Sequence, residues 1–320
     1  MVLTNEELQK IVFGKVKSFT DENGYTVFRR FTDRQYDYLK GRDFGPRVDA
    51  TAGIFLEVEG EVKRISFEYE LKKGSSRLYS NMDILENGKL VSTFDLMTES
   101  WFGSFSYEPK ESGRLKIAFP NLMTLCVKNV SIEGSYAPGR RDRKFYISGD
   151  SITQGYDAEH PSMSYANAVT EYFHAECVNQ SIGGDMFHEE LIDPEVPFFP
   201  DTVIIAYGTN DWKHSLPLEA NSDAYLRKLR DVYRTADIFV LIPIWRESGK
   251  NVNPDTGLTL QDAREIIRLT ALKNGCVPID CSKFVTPDHK YYSDDPALHP
   301  NDHGMTEYAQ HLIEVLRESI

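Results

Sequence analysis

Ser151 is the first residue of this sequence that could do chemistry, because it lies in the segment GDSITQG, directly after the strand-like run KFYIS. A serine at a strand-to-helix turn is exposed, and the helix N-terminus favours negative charge that develops beside it. A serine at such a turn is also a common helix N-cap. Taken alone, Ser151 therefore predicts either a nucleophile or a cap.

Two further loops contain groups that could donate hydrogen bonds to an oxyanion. In NQSIGGD, the adjacent Gly183 and Gly184 let backbone amides approach a ligand closely, although a plain turn has the same composition. In GTND, the side-chain amide of Asn210 could either donate to an oxyanion or form an Asx-turn. Asp211 fits helix capping better than catalysis.

His299 lies in the segment DDPALHPN, with Asp294 and Asp295 a few residues upstream. A carboxylate near a histidine can orient its imidazole, and the neutral imidazole can accept the proton of a serine hydroxyl. The chain order Ser, Asp, His is then that of a nucleophile, an orienting acid and a general base. This pattern predicts nucleophilic catalysis by Ser151, with His299 as its base.

The elements that must position these residues alternate between strands and helices from about residue 144 onward. KFYIS, TVIIAY and IFVLIP are apolar runs of strand length, and apolar residues at helical spacing lie between them, among them a helix around residues 225–233 with Ser222 as its N-cap. This alternation predicts a parallel sheet with right-handed crossovers. In such sheets ligands gather at the carboxyl ends of the strands, where the candidate loops follow.

The preceding residues predict a separate all-β domain. Apolar and polar residues alternate at 54–59 and 65–71, and Asn87-Gly88 between two strand-like segments is suited to a tight hairpin turn. Many short strands without intervening helices predict a jelly-roll-like β-sandwich. A chain of 320 residues is longer than one hydrophobic core usually serves. We therefore predict a β-sandwich domain at 1–140 and a catalytic domain at 141–320, with a solvated linker at 135–143.

Composition limits the classes of molecule that this chain could bind and the compartment in which we expect it. The formal net charge of -13 argues against nucleic-acid binding, and no apolar stretch is long enough to cross a membrane. The N-terminus lacks the apolar region of a secretory signal, so we expect a cytoplasmic protein, or a secreted one if a leader was removed. The four cysteines are expected to be buried free thiols, and none has the spacing of a zinc site. Oligomerisation cannot be read from the sequence.

Together, the four segments resemble the four sequence blocks of the SGNH hydrolases, also called the GDSL family. GDSITQG is similar to the first block, NQSIGGD to the second, GTND to the third and HPN to the last, and the resemblance extends from about Lys144 to the C-terminus. It implies a flavodoxin-like three-layer α/β/α domain and ester hydrolysis through an acyl-enzyme, with no metal or organic cofactor.

Residue by residue, the resemblance implies Ser151 as nucleophile and His299 as base. The oxyanion hole would consist of the backbone amides of Ser151 and Gly184 and the side-chain amide of Asn210. The family usually places its aspartate three residues before the histidine, where this chain has Pro296. We therefore assign the acid to Asp295 on a bulged loop, with Asp294, or a Ser-His dyad helped by a backbone carbonyl, as alternatives.

The substrate is less specified. A β-domain before an SGNH domain resembles the arrangement in bacterial carbohydrate esterases, which implies a small-molecule or oligosaccharide ester and a short acyl group, above all acetyl. Trp212 and Trp245 could stack on a sugar, although either could equally pack in a domain interface. A thioesterase or short-chain carboxylesterase for a non-sugar substrate, and an inactive glycan-binding protein, are the alternatives.

Overall fold

The computed structural model describes residues 2–42, 44–97, 100–293 and 298–320 and contains two sheets, one after the other along the chain. The first is antiparallel, with the strand order β2-β3-β9-β4-β8-β5-β6, and both β1 and β7 also pair with β4. Its strands are β1 Val12–Phe13, β2 Lys17–Thr20, β3 Thr26–Arg29, β4 Phe55–Lys73, β5 Asn81–Glu86, β6 Lys89–Asp95, β7 Phe102–Tyr107, β8 Gly113–Ala118 and β9 Met123–Pro138.

This first sheet curls around one apolar core. The long strand β4 pairs with β8 through residues 55–60 and with β7 through residues 65–70, and its pairing with β9 shifts register between Val62 and Arg64 and again between Ser66 and Glu68. Such irregularities bend a strand. Side chains from both halves of β4, such as Leu56 and Phe67, share one buried cluster. The all-β sandwich is therefore confirmed, as is the hairpin at Asn87 and Gly88, whose φ angles of 50° and 82° both fit a tight turn.

The expectation of strands without helices is wrong for the first 50 residues. Helices α1 (Asn5–Ile11) and α2 (Asp33–Gly41) and a 3₁₀ helix at Gly45–Val48 lie there. Thr32 caps α2 through a capping box with Gln35, a sequence signal of the type T-x-x-Q.

The second sheet is parallel, with the strand order β11-β10-β12-β13-β14. Its strands are β10 Arg143–Gly149, β11 Ala175–Asn179, β12 Thr202–Ala206, β13 Asp237–Ile242 and β14 Val277–Asp280. Its helices are α3 Ser151–Gln154, α4 Tyr165–Tyr172, α5 Thr209–Lys213, α6 Leu218–Val232, α7 Leu260–Lys273 and α8 Asp302–Arg317, with 3₁₀ helices at Pro161–Met163, Glu189–Leu191, Glu247–Lys250 and His289–Tyr291. Ser222 is buried inside α6, so its prediction as an N-cap is wrong.

Helices cover both faces of this parallel sheet. Apolar residues of α4 and α8 pack on Phe145, Ile204 and Phe239, whereas those of α6 and α7 pack on Tyr146 and Val203. Because adjacent strand residues point to opposite faces, neighbours in sequence enter different cores. The three-layer α/β/α domain is therefore confirmed. The strand order reverses at β10, and this is where open sheets bind ligands.

The predicted solvated linker at 135–143 is confirmed only in part, since five of its nine residues are exposed but not all of it is an irregular, solvated connector. Residues 135–138 belong to β9, and the side chain of Arg141 is only 2% exposed. Arg141 is ion-paired with Glu57 of β4 and lies 3.5 Å from Glu171 of α4, which also pairs with Lys116 of β8 at 2.8 Å. The segment between the sheets is thus part of a buried ion-pair cluster. The domain boundary at 140/141 stays a prediction.

Two further observations concern the chain as a whole. All four cysteines are free and buried, as predicted. Among the helices of the described residues, none combines the length and the apolar character that a membrane span requires.

Arg30 joins the N-terminal region to the second candidate loop. Its side chain is fully buried and donates hydrogen bonds to the carbonyl oxygens of Ala50 at 2.7 Å and of Asn179 and Ser181, both at 2.8 Å. Beside it, the Gln180 side-chain amide donates to the Arg30 carbonyl at 2.6 Å. A planar guanidinium with five donors suits such a set of carbonyls better than an ammonium.

We predict that Arg30→Lys lowers the free energy of unfolding by about 3 kcal/mol, because several buried carbonyl groups lose their donors. Urea unfolding at neutral pH measures the change. The control Arg268→Lys, in an exposed pair with Glu265, should leave stability close to that of the native protein. Equal small effects of the two substitutions would contradict the bracing role of Arg30.

Candidate active site

Ser151 and His299 meet at the carboxyl end of the parallel sheet. The Ser151 Oγ lies 2.8 Å from His299 Nε2, a hydrogen-bonding distance. Ser151 begins helix α3 directly after β10, and His299 lies just before α8. Asn301 holds that second position, because its side chain caps α8 by accepting from the amides of His303 and Gly304.

The turn before Ser151 is fixed by Asp150. This residue caps α3, and its carboxylate accepts a hydrogen bond from the amide of Ile152 at 3.0 Å. Burial raises the pKa of the Asp150 carboxyl to about 6. Its role is therefore to shape the turn that exposes the Ser151 hydroxyl.

The amides of Ser151 and Gly184 are free to bind an oxyanion, since neither donates to another described residue. The amide of Gly183, in contrast, donates to Gln154 Oε1 at 2.7 Å. Gly184 has a φ of +87°, a conformation that favours glycine. The glycine pair thus provides one available donor, at the residue that the sequence indicated.

Asn210 faces the same place. It follows β12 at the start of α5, and its side-chain amide donates one hydrogen bond to the carbonyl of Asp185 at 2.9 Å. An amide nitrogen has two hydrogens, so a second can still be donated. Asn210 lines one groove together with Ser151, Gly184 and His299.

A carboxylate that the sequence analysis missed lies on the other side of the imidazole. The Asp157 Oδ2 is 3.7 Å from His299 Nδ1, and the Asp157 side chain is fully buried. Arg77 donates to Asp157 Oδ1 at 2.6 Å, and the Ser293 hydroxyl donates to Oδ2 at 2.6 Å. The Tyr156 ring lies against the imidazole, with 4.4 Å between the ring centroids.

Asp157 gave no signal in the sequence beyond that of a turn residue. It lies six residues after Ser151 with a φ of +67°, and its partner Arg77 comes from the loop between β4 and β5. The predicted acid Asp295 lies outside the described residues, as do Asp294 and Pro296. The assignment of Asp295 stays a prediction.

Asp185 is the last residue of the segment 179–185, which we call the oxyanion loop, and its side chain is buried beneath that loop. Its carboxylate accepts a hydrogen bond from the Tyr207 hydroxyl at 3.1 Å, and its Oδ1 lies 3.5 Å from His188 Nε2. Burial raises the pKa of Asp185 to about 8 and lowers the pKa of His188 to about 4. Near pH 6 a neutral acid therefore faces a neutral imidazole, and no buried charge is left uncompensated.

The structure does not bring the two predicted tryptophans to Ser151. Trp212 is buried in the core under α6 and α7, and its indole donates to the Leu258 carbonyl at 2.9 Å. Trp245 is half-buried and packs edge-to-face on Tyr292, with 5.3 Å between the ring centroids. Neither ring is among the described residues that line the groove at Ser151.

Both sheets contribute to this groove, whose volume is about 490 Å³. The N-terminal region supplies Phe44, Arg47 and Lys73, together with Ser75 and Ser76. The helical turn that contains Arg47 is therefore part of the site, although the sequence analysis missed it. Among the described residues no group of three or more His, Cys, Asp or Glu side chains could hold a metal ion.

Comparison with known proteins begins with the catalytic half. The sequence model of the GDSL-like lipase/acylhydrolase family matches residues 147–306. No curated protein matches the chain.

Solved structures share the fold over nearly the whole chain. The salicylyl-acyltransferase SsfX3 from a tetracycline biosynthetic pathway superimposes with a TM-score of 0.81 at 17% identity, covering 100% of this chain and 96% of that one. A GDSL-like lipase from Bacteroides ovatus gives 0.74 at 17% identity, covering 99% and 97%. A family two carbohydrate esterase from Cellvibrio japonicus gives 0.62 at 17% identity, covering 96% and 94%. Both sheets therefore recur together in solved proteins.

We predict that Asp185→Asn weakens the pH dependence of stability. A carboxyl with a raised pKa in the folded protein stays protonated there while the unfolded chain ionises, so its contribution is present at low pH and is lost as pH rises from about 3.8 toward about 8. The slope from one such group is at most about 1.4 kcal/mol per pH unit. Asparagine does not titrate, so the variant should lose less stability between about pH 5 and about pH 8.

Urea unfolding across that range measures the slope. Asp211, whose pKa burial raises to about 7, still titrates in the variant, so part of the slope should remain. The exposed control Asp231→Asn should follow the native protein. If Asp185→Asn also followed it, Asp185 would not be neutral in the fold.

Proposed function

Because the chain belongs to the GDSL-like lipase/acylhydrolase family, we propose that it is a serine esterase that releases a short acyl group through an acyl-enzyme. The observation that carries the proposal is the 2.8 Å contact between Ser151 Oγ and His299 Nε2. A hydroxyl and an imidazole at this distance are within reach for proton transfer. The family supports the class of reaction, and the contact supports Ser151 and His299 as the two reacting groups.

In the first half-reaction, neutral His299 accepts the Ser151 hydroxyl proton on Nε2 while Oγ forms a bond to the ester carbonyl carbon. The carbonyl electron pair moves to the oxygen, which the amides of Ser151 and Gly184 and the side chain of Asn210 stabilise. Loss of one such donor typically costs about 3 kcal/mol of transition-state stabilisation. When the intermediate collapses, the alcohol leaves with the proton from Nε2.

In the second half-reaction, a water molecule is the nucleophile and the same proton transfers take place. His299 takes a proton from the water, whose oxygen attacks the acyl carbon, and Ser151 leaves with the proton restored to Oγ. The free acid is the second product.

Asp157 is proposed as a positioning residue. Its carboxylate, held by Arg77 and Ser293, faces His299 Nδ1 and would stabilise the imidazolium that exists in both half-reactions. The 3.7 Å separation suits an apo site, where catalytic contacts are often long and shorten when substrate binds. Asp157, which follows helix α3, would then act together with Asp295 or in its place.

A short acyl group, acetyl above all, is supported by the composition of the groove. Of its described lining residues only Phe44, Tyr156 and Leu298 have large apolar surfaces, and Phe44 is itself buried. A long acyl chain would gain about 0.8 kcal/mol for each buried CH₂ only against an apolar wall. The groove offers little such wall.

A carbohydrate ester is supported by the similarity to the family two carbohydrate esterase, which shares both sheets. That similarity lies at the level of fold, and one fold hosts many substrates. A thioesterase or carboxylesterase activity on a non-sugar substrate is the second candidate. Acetate release from acetylated xylan, compared with hydrolysis of acetyl thioesters, separates the two.

We predict that the protein hydrolyses 4-nitrophenyl acetate and that Ser151→Ala abolishes this activity. The rate should fall steeply from acetate to octanoate, because the groove lacks an apolar channel among its described residues. The control Ser248→Ala removes a serine outside the groove and should keep the activity. Comparable rates on octanoate would contradict the short acyl group, and activity retained in Ser151→Ala would contradict the nucleophile.

We predict that Asp157→Asn lowers kcat by about 10- to 100-fold with a smaller change in KM. The Asp157 charge stabilises the imidazolium, which forms only when the proton is transferred, so its loss affects the chemical step more than substrate binding. The downfield NMR resonance of the His299 Nδ1 proton should also shift upfield. The matched control is Asp142→Asn, since Asp142 faces an exposed histidine, His174, at 3.3 Å. An unchanged kcat with an unchanged resonance would remove Asp157 from the site.

A further inference from the structure

The groove at Ser151 has the opposite charge from the molecule around it. The chain has 49 acidic and 36 basic residues, yet none of the described residues that line the groove is Asp or Glu. Three cationic side chains do line it, and we call them the cationic rim: Arg47, Lys73 and Lys213. A concave surface with one sign of charge concentrates ligands of the other sign.

The cationic rim comes from three separate elements that surround the nucleophile. Arg47 lies on the 3₁₀ helix Gly45–Val48, Lys73 is the last residue of β4, and Lys213 is the last residue of α5. Arg47 donates from Nη1 to the Gly183 carbonyl and from Nε to the Phe44 carbonyl at 3.0 Å. Its guanidinium is therefore held against the oxyanion loop, and a positive charge is fixed beside the reacting atoms.

The two lysines of the rim are available for a ligand. Both are exposed, and neither forms an ion pair with any described residue. Their neighbours behave differently: Lys72 lies 3.1 Å from a Glu70 carboxylate oxygen and 3.5 Å from one of Asp21. Carboxylates of the described residues are thus paired with Lys72 and not with Lys73, which lines the groove.

The surface on the other side of His299 is acidic. A depression of about 630 Å³ there is lined by Asp157, Glu159 and Asp302, along with Arg77 and His303. Two of these carboxylates are paired, Asp157 with Arg77 at 2.6 Å and Asp302 with His160 at 2.7 Å. The described lining is still more negative there than at the cationic rim, which favours an anionic group at the rim.

We propose that the natural substrate is an ester whose alcohol part carries an anionic oxygen group, such as a carboxylate or a phosphate, that binds at the cationic rim. This inference rests on the proposed esterase function and specifies its substrate class. The charge is assigned to the alcohol part because the proposed function already makes the acyl group a short one, acetyl above all, which carries no charge. Recognition would depend on charge more than on aromatic stacking, in line with the absence of a tryptophan among the described lining residues.

A matched pair of chromogenic esters tests the proposal. 4-Acetoxy-3-nitrobenzoate and its methyl ester differ in one negative charge, and each kcat/KM is divided by the rate of spontaneous hydrolysis of the same ester. We expect this normalised kcat/KM to be about 5-fold or more higher for the anion, and the preference to shrink between about 20 and about 300 mM NaCl as screening increases. Acetate release from 4-acetoxyphenyl phosphate then distinguishes a phosphate preference from a carboxylate preference.

Single substitutions connect the preference to the rim. Lys73→Gln and Lys213→Gln should each reduce the ratio of anionic to neutral kcat/KM by roughly 2- to 5-fold, as expected for exposed charges. The double variant should reduce the ratio further than either single substitution, while Arg47 keeps part of the preference. The control Lys89→Gln, an exposed lysine of β6 outside the groove, should leave the ratio as in the native protein.

The outcomes separate the inference from the function beneath it. A ratio of 1 or below with Ser151-dependent hydrolysis intact overturns the anionic substrate and leaves the esterase standing. A ratio that falls equally in Lys89→Gln also overturns it, since net charge alone would then explain the preference. Failure to hydrolyse either ester, or hydrolysis that persists in Ser151→Ala, contradicts the proposed function itself.

Discussion

The contact between Ser151 and His299 depends on a constraint that the rest of the fold must satisfy. The two residues are 148 positions apart, and each belongs to a loop whose backbone is fixed from the inside. Asp150 caps the short helix that begins at the serine, and Asn301 caps the helix that follows the histidine. Both caps hold the ends of elements that pack on the parallel sheet, so the sheet sets the distance between the two reacting groups.

The N-terminal sheet and its helices take part in this arrangement. Arg30 braces the oxyanion loop from a fully buried position, Arg47 lies against that loop at the surface, and Arg77 holds the carboxylate that faces His299. Three arginines of the first 80 residues thus contact two parts of the site, the oxyanion loop and the carboxylate that faces His299. Residues from the regions of both sheets line the groove, and both sheets also occur together in solved proteins.

The local parts of the site could be predicted from the sequence, and the long-range parts could not. Ser151, Gly184 and Asn210 each lie in a loop that follows a strand of the parallel sheet, and His299 lies just before the last helix, so local patterns at element ends indicated all four residues of the groove. Asp157 and Arg47 act through contacts across about 80 to 140 positions, which no local pattern encodes. Trp212 shows the limit of proximity along the chain: it lies two residues after Asn210, but its ring packs in the core and does not line the groove.

Covalent labelling with a fluorophosphonate tests the central claim most directly, because this reagent reacts with serines that an adjacent base activates. Peptide mass spectrometry of the labelled protein should find one adduct, on Ser151, and the labelling rate should fall by at least about 100-fold in His299→Ala. An adduct on a different residue, or labelling of Ser151 at the same rate without His299, would contradict the account.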